Sequence, residues 1–255
     1  MISFGKKKYN LGIAMGGGGA RGFAHLGVME ALAEKGIKPD IISGVSAGAI
    51  AGAFIASGQS PRDAFDLMKK YNFTGLAKLT GFKQGLLSLT KMKEDLEKKI
   101  KAKNLEDLDI PLIVTVSNML EGKVEYLSEG PLSTIVQASA SIPIIFSPVE
   151  YQGKLYNDGG LFDNLPIKPL QDNCKKIISI SISPIQKLDE LKNLKEVVFR
   201  MFQLAINTSS EEIAANSDLC IEPLELANYD IMDTKNAEKI FEIGYNYAKN
   251  LDIKL

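Results

Sequence analysis

The alternation of short apolar runs with helical segments constrains the fold most strongly. The run LGIAM, residues 11–15, ends in glycines and precedes a predicted helix over residues 20–35 that Gly36 ends. The run DIISGVS, residues 40–46, precedes the helical segment AGAIAGAFIAS. This alternation predicts an α/β fold whose central sheet is largely parallel, with helices on both faces.

The remainder of the chain continues this pattern. Strands are predicted in IPLIVTVSNM and KKIISISIS, and EGKVEYLS is expected to pair with the first of them. Helices are predicted from residue 61 onwards and over residues 91–103, 132–140, 191–215 and 237–251. Residues 72–90 are predicted to form an aperiodic loop. With 255 residues, 45% of them hydrophobic, the chain can bury one substantial core. We therefore expect a single domain over residues 1–255, with a motif-bearing core at about 10–185 and a helical C-terminal part at about 186–255.

The first candidate site is the loop GGGGARG, residues 16–22, between a strand and a helix. Its glycines match G-x-G-x-x-G, the nucleotide-binding pattern, but the next strand lacks the acidic residue at its end that would hold a ribose. Consecutive glycines also let backbone N–H groups converge beside a helix N-terminus. Gly17, Gly18 and Gly19 are therefore candidates for an oxyanion hole, with a tight structural turn as the remaining interpretation.

The second candidate site is Ser46, which stands between Gly44 and Gly48 in a G-x-S-x-G pattern. A strand before it and a helix after it are the context of a nucleophile elbow. Such a serine normally gives its proton to a histidine, yet the only histidine, His25, lies on the helix after the glycine loop. Because that helix turns its side chain towards the face of Arg21 or Gly22, we expect His25 to pack or hydrogen-bond structurally.

The third candidate site is Asp158, which is followed by Gly159 and Gly160. Two glycines allow a tight turn that leaves the carboxylate accessible as a base. An ordinary Asp-Gly turn is the alternative interpretation, and Asp163 is the nearest other acidic candidate.

Together, these segments resemble the patatin-like phospholipases, whose pattern is a G-G-G-x-R/K-G loop, a G-x-S-x-G elbow and a distant D-G-G/A. The stretches ARGFAHLGVMEALAEKGI and QASASIPIIFSPVEYQGKLYNDGGLFDNLPI resemble the same family, so the resemblance covers about residues 10–185. It implies a patatin-like fold and a serine–aspartate dyad in which Ser46 is the nucleophile and Asp158 the general base. The supporting positions would be Arg21, Gly44, Gly48, Gly159 and Gly160.

The resemblance implies acyl transfer from a lipid or lysolipid ester through an acyl-enzyme, without a metal or an organic cofactor. The alternatives are a catalytically idle regulatory or lipid-binding module of the same fold and a nucleotide-binding domain. Apolar residues of the 72–90 loop would be candidates for an acyl-chain site, namely Phe73, Leu76, Phe82, Leu86 and Leu87.

Composition and charge bear on partners and location. A net charge of −1 gives no general attraction to nucleic acid, and two distant cysteines are typical of a reduced, cytoplasmic protein. The basic N-terminus precedes no apolar segment, so we expect no secretory signal.

The lysine-rich run KMKEDLEKKIKAK predicts a solvated helix face, with peripheral contact to anionic lipid headgroups as the alternative. An apolar stripe predicts a core-facing helix, with a cap over an acyl groove as the alternative; its members are Leu191, Leu194, Val198, Met201, Phe202 and Ala205.

Overall fold

Eight strands form the central sheet of the computed structural model, which describes residues 7–69, 78–79, 87–192, 194–207 and 216–253. The strands of this sheet are β1 Tyr9–Met15, β2 Ile41–Val45, β5 Leu112–Asn118, β6 Lys123–Leu127, β7 Val149–Tyr151, β8 Lys154–Asp158, β9 Cys174–Ile180 and β10 Leu219–Ile221. A separate two-stranded sheet pairs β3 Lys78–Leu79 with β4 Leu87–Ser88. The helices are α1 Phe23–Glu34, α2 Ala47–Ala56, α3 Pro61–Lys69, α4 Thr90–Lys99, α5 Leu132–Ser139, α6 Lys168–Gln171, α7 Leu194–Asn207 and α8 Ala237–Lys249.

The sheet has a parallel part and an antiparallel part. Its order is β10-β9-β1-β2-β5-β8-β7, with β6 also paired to β5. The pairs from β10 to β5 are parallel, whereas β6, β7 and β8 pair in antiparallel fashion. The predicted α/β fold with a helix-flanked central sheet is confirmed, and so is the predicted pairing of β6 with β5. The antiparallel strands β7 and β8 are an addition that the sequence pattern did not predict.

The two faces of the sheet bury different cores. Because side chains alternate along a strand, Ile13 and Met15 pack in a large apolar cluster on one face, and Ala14 packs in a small cluster on the other. The large cluster contains residues of α1, α2, α3, α5 and α8, whereas residues 165–170, leading into α6, cover the small one. In the large cluster α1 and α8 cross closely, since a Cβ at Gly27 would collide with the carbonyl of Phe241.

Most predicted elements are present with slightly different bounds. Gly36 ends α1 with a φ of 74°, and Ser60 accepts the Asp63 N–H at 3.1 Å ahead of α3. The predicted helix over 20–35 starts with a 3-10 turn at Gly19–Gly22 before α1 begins. Of the loop predicted over 72–90, Phe73, Leu76, Phe82 and Leu86 lie outside the described residues, as does the end of the predicted 191–215 helix.

The prediction that the apolar stripe of α7 faces the core is wrong. Leu194 and Met201 are 78% and 65% exposed. The opposite side of the helix, at Gln203 and Ile206, lines a cavity that also contains Ser46. Leu194, Met201 and Ala205 therefore point outwards, because α7 packs over this cavity with its other face.

The lysine-rich helix α4 is solvated as predicted, since only Met92 and Leu96 of its residues are buried. Over the described part of the chain, every helix is either too short or too polar to cross a bilayer.

Candidate active site

Ser46 occupies a strained elbow between β2 and α2. Its φ of 53° and ψ of −120° lie in a region that residues with a Cβ rarely adopt. The flanking glycines allow this turn, because a Cβ at Gly44 would lie 2.7 Å from the carbonyl oxygen of Gly48. A Cβ at Gly48 would in turn collide with the carbonyl of Met15. The predicted nucleophile elbow is therefore present as a backbone conformation.

Asp158 ends β8 and caps the 3-10 helix Gly159–Leu161. Its Oδ1 accepts the N–H of Gly160 at 2.8 Å, and its own N–H donates to the carbonyl of Ser141 at 2.9 Å. A Cβ at Gly159 would collide with the carbonyl of Thr115, which explains the first glycine of the D-G-G segment. Within the described residues, the buried Oδ2 of Asp158 has no hydrogen-bond partner of ordinary geometry.

The carboxyl group of Asp158 and the hydroxyl of Ser46 are neighbours. Asp158 is 1% exposed, and its burial raises the pKa of the carboxyl to about 7. The Ser46 hydroxyl and the Gly160 N–H act in the opposite direction, because both stabilise the charged form. A carboxylate in this position is a stronger base than one in water, and the hydroxyl of the elbow serine interacts with it.

The glycine loop presents its backbone to the same cavity. Gly18 and Gly19 line this cavity together with Ser46 and Asp158. In the described part of the chain, the N–H groups of Gly18 and Gly19 have no acceptor. The N–H of Gly17, also predicted as an oxyanion donor, is already engaged, since it donates to the carbonyl of Asn164 at 3.1 Å. Two of the three predicted donors are thus available to a substrate in this structure.

His25 supports this loop from behind. Its Nε2 donates to the carbonyl of Gly16 at 2.7 Å, and the ring is fully buried. Burial lowers the pKa of His25 to about 4, although the bond to Gly16 opposes the shift. The ring is therefore neutral at pH 7, and its N–H is directed at the backbone, as expected for a structural histidine.

Arg21 likewise bonds to backbone. Its Nε donates to the carbonyl of Tyr229 at 2.8 Å, and its Nη1 donates to that of Pro184 at 3.2 Å. Burial lowers the pKa of its guanidinium to about 10. Arg21 thereby joins the glycine loop to the segments that precede α7 and α8.

The alternative acid Asp163 has a different partner. Its Oδ2 accepts the hydroxyl of Tyr126 at 2.6 Å, and its Oδ1 accepts the N–H of Leu165 at 3.3 Å. Both carboxyl oxygens of Asp163 are therefore bonded, whereas the Oδ2 of Asp158 has no partner of ordinary geometry among the described residues.

Sequence reasoning did not identify several residues of the site. Asn164 and Ser183 hold Gly17, the first by accepting its N–H and the second by donating its Oγ to the Gly17 carbonyl at 2.6 Å. The N–H of Ser46 donates to the Oγ of Ser139 at 2.9 Å. Ser139 and Asn164 both lie in the stretch QASASIPIIFSPVEYQGKLYNDGGLFDNLPI that resembles the family, so the resemblance itself was the available signal.

An apolar pocket adjoins Ser46 on the side of α2. It is enclosed mainly by aliphatic and aromatic side chains, and it shares Ser46, Gly19, Ile142 and Ile231 with the cavity that contains Asp158. We call it the apolar pocket, and its other lining residues are Ala20, Ala47, Ile50, Leu89, Ala140, Phe146 and Met232.

Comparison with known families identifies the family of this chain. Residues 13–170 match the patatin-like phospholipase family, and this range contains the glycine loop, the elbow and Asp158. The chain belongs to the patatin-like phospholipases. Membership in this family replaces the nucleotide-binding interpretation of the glycine loop.

Two curated relatives illustrate how this patatin-like phospholipase compares with longer proteins. It is 25% identical over 270 residues to a lysophospholipase from Kluyveromyces lactis, covering 93% of this chain and 19% of the relative. It is 32% identical over 182 residues to an uncharacterised NTE-family protein from Mycobacterium tuberculosis, covering 70% of this chain and 51% of the relative. The chain thus spans between a fifth and about half of the length of these relatives.

A solved structure shows the same fold. VipD from Legionella pneumophila superposes on this patatin-like phospholipase with a TM-score of 0.61 at 16% identity, covering 94% of this chain and 66% of VipD. At this identity the similarity concerns the fold alone.

Proposed function

We propose that the protein is a serine hydrolase of lipid acyl esters, in which Ser46 is the nucleophile and Asp158 the general base. The observation that carries the proposal is the placement of a strained elbow serine and a buried carboxyl group on one cavity, with the serine hydroxyl next to that carboxyl group. Membership in the patatin-like phospholipase family supports the same assignment.

The first half-reaction forms an acyl-enzyme. The ionised Asp158 accepts the Ser46 proton while Oγ bonds to the ester carbonyl carbon, and the carbonyl π electrons move to its oxygen. The N–H groups of Gly18 and Gly19 then stabilise the oxyanion, aided by their position ahead of a helix. When the intermediate collapses, the bond to the leaving alcohol breaks, and Asp158 returns its proton to that alcohol.

The second half-reaction releases the acid. Asp158 accepts a proton from water, the hydroxide oxygen bonds to the acyl carbon, and the same N–H groups stabilise the second oxyanion. The bond to Ser46 Oγ then breaks, and Oγ recovers the proton from Asp158. The products are the free alcohol, the free fatty acid and the unmodified enzyme.

The apolar pocket favours an acyl chain over a polar substituent. Its lining is almost entirely hydrocarbon, and it opens on Ser46 itself, where the carbonyl carbon of an ester would lie. Transfer of a chain from water into such a site is favourable by about 0.8 kcal/mol per methylene. A lysophospholipase among the relatives is consistent with a lipid or lysolipid ester as substrate.

One experiment tests the proposal against a catalytically idle module. The purified protein is incubated with mixed diacyl lipids, lysolipids and neutral esters, and the products are identified by mass spectrometry. We expect free fatty acid from wild type and none from Ser46→Ala, together with fluorophosphonate labelling of wild type at Ser46. A folded wild-type protein that releases no acid and is not labelled would contradict the proposal.

A further inference from the structure

The elbow begins where a ladder of hydrogen bonds between β2 and β5 ends. In this ladder, the N–H of Ile42 donates to the carbonyl of Pro111 at 2.9 Å. Donors recur at every second residue of a parallel strand pair, so the N–H groups of Gly44 and Ser46 fall opposite the carbonyls of Ile113 and Thr115. A direct bond from Ser46 to Thr115 would therefore be the next rung of the ladder.

The hydroxyl of Ser139 occupies that rung instead. The N–H of Ser46 donates to Ser139 Oγ at 2.9 Å, and Ser139 Oγ donates to the carbonyl of Thr115 at 2.7 Å. A serine hydroxyl can do both, because it has one donor and two acceptor lone pairs. Ser139 is the last residue of α5 and is fully buried, so its hydroxyl is held in place by the helix end.

We infer that Ser139 is the positioning residue that holds Ser46 in its elbow conformation. By separating Ser46 from Thr115 by one hydroxyl group, it gives the buried N–H an acceptor while the chain leaves the plane of β2. Without that hydroxyl, the buried N–H of Ser46 would lose its acceptor, so we expect Ser46 to move towards Thr115 and continue the strand. Continuation of the strand would replace the positive φ and redirect the side chain away from Asp158.

The consequence for turnover rests on the proposed function, whereas the consequence for the backbone does not. Displacement of a nucleophile by about 1 Å can cost about 10²-fold in rate. Ser139 lines neither the cavity that contains Asp158 nor the apolar pocket. Loss of its hydroxyl should therefore lower kcat and leave KM little changed.

Three variants of the full chain test the inference. Ser139→Ala removes the hydroxyl, Ser139→Thr retains one, and Ser133→Ala is the matched control. Ser133 is also a buried serine of α5, but its Oγ donates to Glu97 at 2.8 Å. We expect the kcat of Ser139→Ala to be about 10²-fold below wild type. The kcat of Ser139→Thr should be at least about tenfold above that of Ser139→Ala, and Ser133→Ala should keep the wild-type kcat.

A kcat of Ser139→Ala within about threefold of wild type would overturn the inference, as would a folded Ser139→Thr enzyme no better than Ser139→Ala. If Ser139→Ala does not fold, Ser139→Cys takes its place, because a thiol keeps the volume but is a weak donor and acceptor. We expect the same direction of loss in that variant, and wild-type turnover there would also overturn the inference.

A crystal structure of Ser139→Ala separates this inference from the proposed function. We expect the φ of Ser46 to leave its positive value, and an unchanged elbow would count against Ser139 whatever the activity. If wild type is neither labelled at Ser46 nor active, the proposed function fails, while the backbone comparison still decides the role of Ser139.

Discussion

Val45 and Asp158 pair with two consecutive residues of β5, on the same edge of that strand. Val45, at the end of β2, pairs with Thr115, and Asp158, at the end of β8, pairs with Val116. Since β6 occupies the other edge along the same stretch, β2 and β8 approach each other end to end. The residue that follows β2, Ser46, therefore meets the last residue of β8. The proximity of Ser46 and Asp158 is thus a consequence of strand order and of opposite strand directions.

The strained backbone at Ser46 yields the first prediction. Ser46→Ala and Ser46→Gly should both abolish ester hydrolysis, but Ser46→Gly should be more stable, because glycine adopts a φ of 53° without steric cost. We expect its free energy of unfolding to exceed that of Ser46→Ala by about 1 kcal/mol in urea titrations. Equal stability of the two variants would show that the backbone at Ser46 is not strained. Ester hydrolysis by either variant would exclude Ser46 as the nucleophile.

Local sequence signals were sufficient for the first half of the site. The apolar runs before the glycine loop and before Ser46 predict buried strands, and the glycines mark close approaches of the backbone. Both features depend on neighbours in sequence, so the elbow and the loop could be predicted together with the parallel part of the sheet.

The rest of the site depends on contacts between distant segments. The polar run that ends in Asp158 gave no strand signal, because β8 is ordered by antiparallel pairing with β5 and β7. The engagement of the Gly17 N–H depends on Asn164, and the outward stripe of α7 depends on which face packs over the cavity. Periodicity shows that a helix has two faces but does not show which one the rest of the fold covers.

The titration of Asp158 yields a pH dependence. Its pKa of about 7 means that the carboxyl group, the proposed base, is mainly protonated below neutral pH. We expect kcat/KM for a neutral ester to rise as the pH increases through about 7 and to fall about tenfold per unit well below it. A profile that is flat between pH 5 and pH 8 would contradict this pKa or this base.

The control for that profile is His25→Gln. Burial holds the pKa of His25 at about 4, so its titration cannot produce an inflexion near 7. The variant should keep the inflexion and at least about a tenth of the wild-type kcat, since loss of a general base costs about 10²–10⁴-fold. A folded His25→Gln protein with a loss in that range and no inflexion would make His25 the base.

The same carboxyl group should affect stability. Its folded pKa of about 7 lies above the usual value for an unfolded aspartate, so the folded state binds more protons between about pH 4 and 7. Its contribution to the free energy of unfolding is therefore present at low pH and is lost as the pH rises through that window. Asp158→Asn should be inactive. Its free energy of unfolding minus that of wild type should be larger at pH 8 than at pH 5, by roughly 2–3 kcal/mol.

Urea titrations of both proteins at the two pH values measure that difference, and the titration of other groups cancels in the comparison. A stability difference that does not change with pH would show that the pKa of Asp158 is not raised in the folded protein.

The N–H groups of Gly18 and Gly19, which have no acceptor among the described residues, predict the geometry of a covalent adduct. In a crystal structure of the protein phosphonylated at Ser46, one phosphonyl oxygen should lie within hydrogen-bond distance of the N atoms of Gly18 and Gly19. The N–H of Gly17 should still donate to the carbonyl of Asn164. An oxygen bound to Gly17 instead would restore all three glycines as candidates and would require the loop to change its bond to Asn164.

The apolar pocket predicts how chain length affects turnover. Ile50 follows Ser46 by four residues on α2, so its side chain leans back along the helix towards the serine, and it is buried in the pocket lining. Ile50→Phe should fill part of that space, and each methylene that no longer fits should lower kcat/KM by about fourfold.

The enzyme would be assayed on nitrophenyl esters from acetate to laurate. The acetate ester is the internal control, because its acyl group leaves the pocket empty and its turnover reports the dyad alone. A selective loss on the longer esters would place the acyl chain along Ile50, whereas an equal loss on all esters, or none, would place it elsewhere.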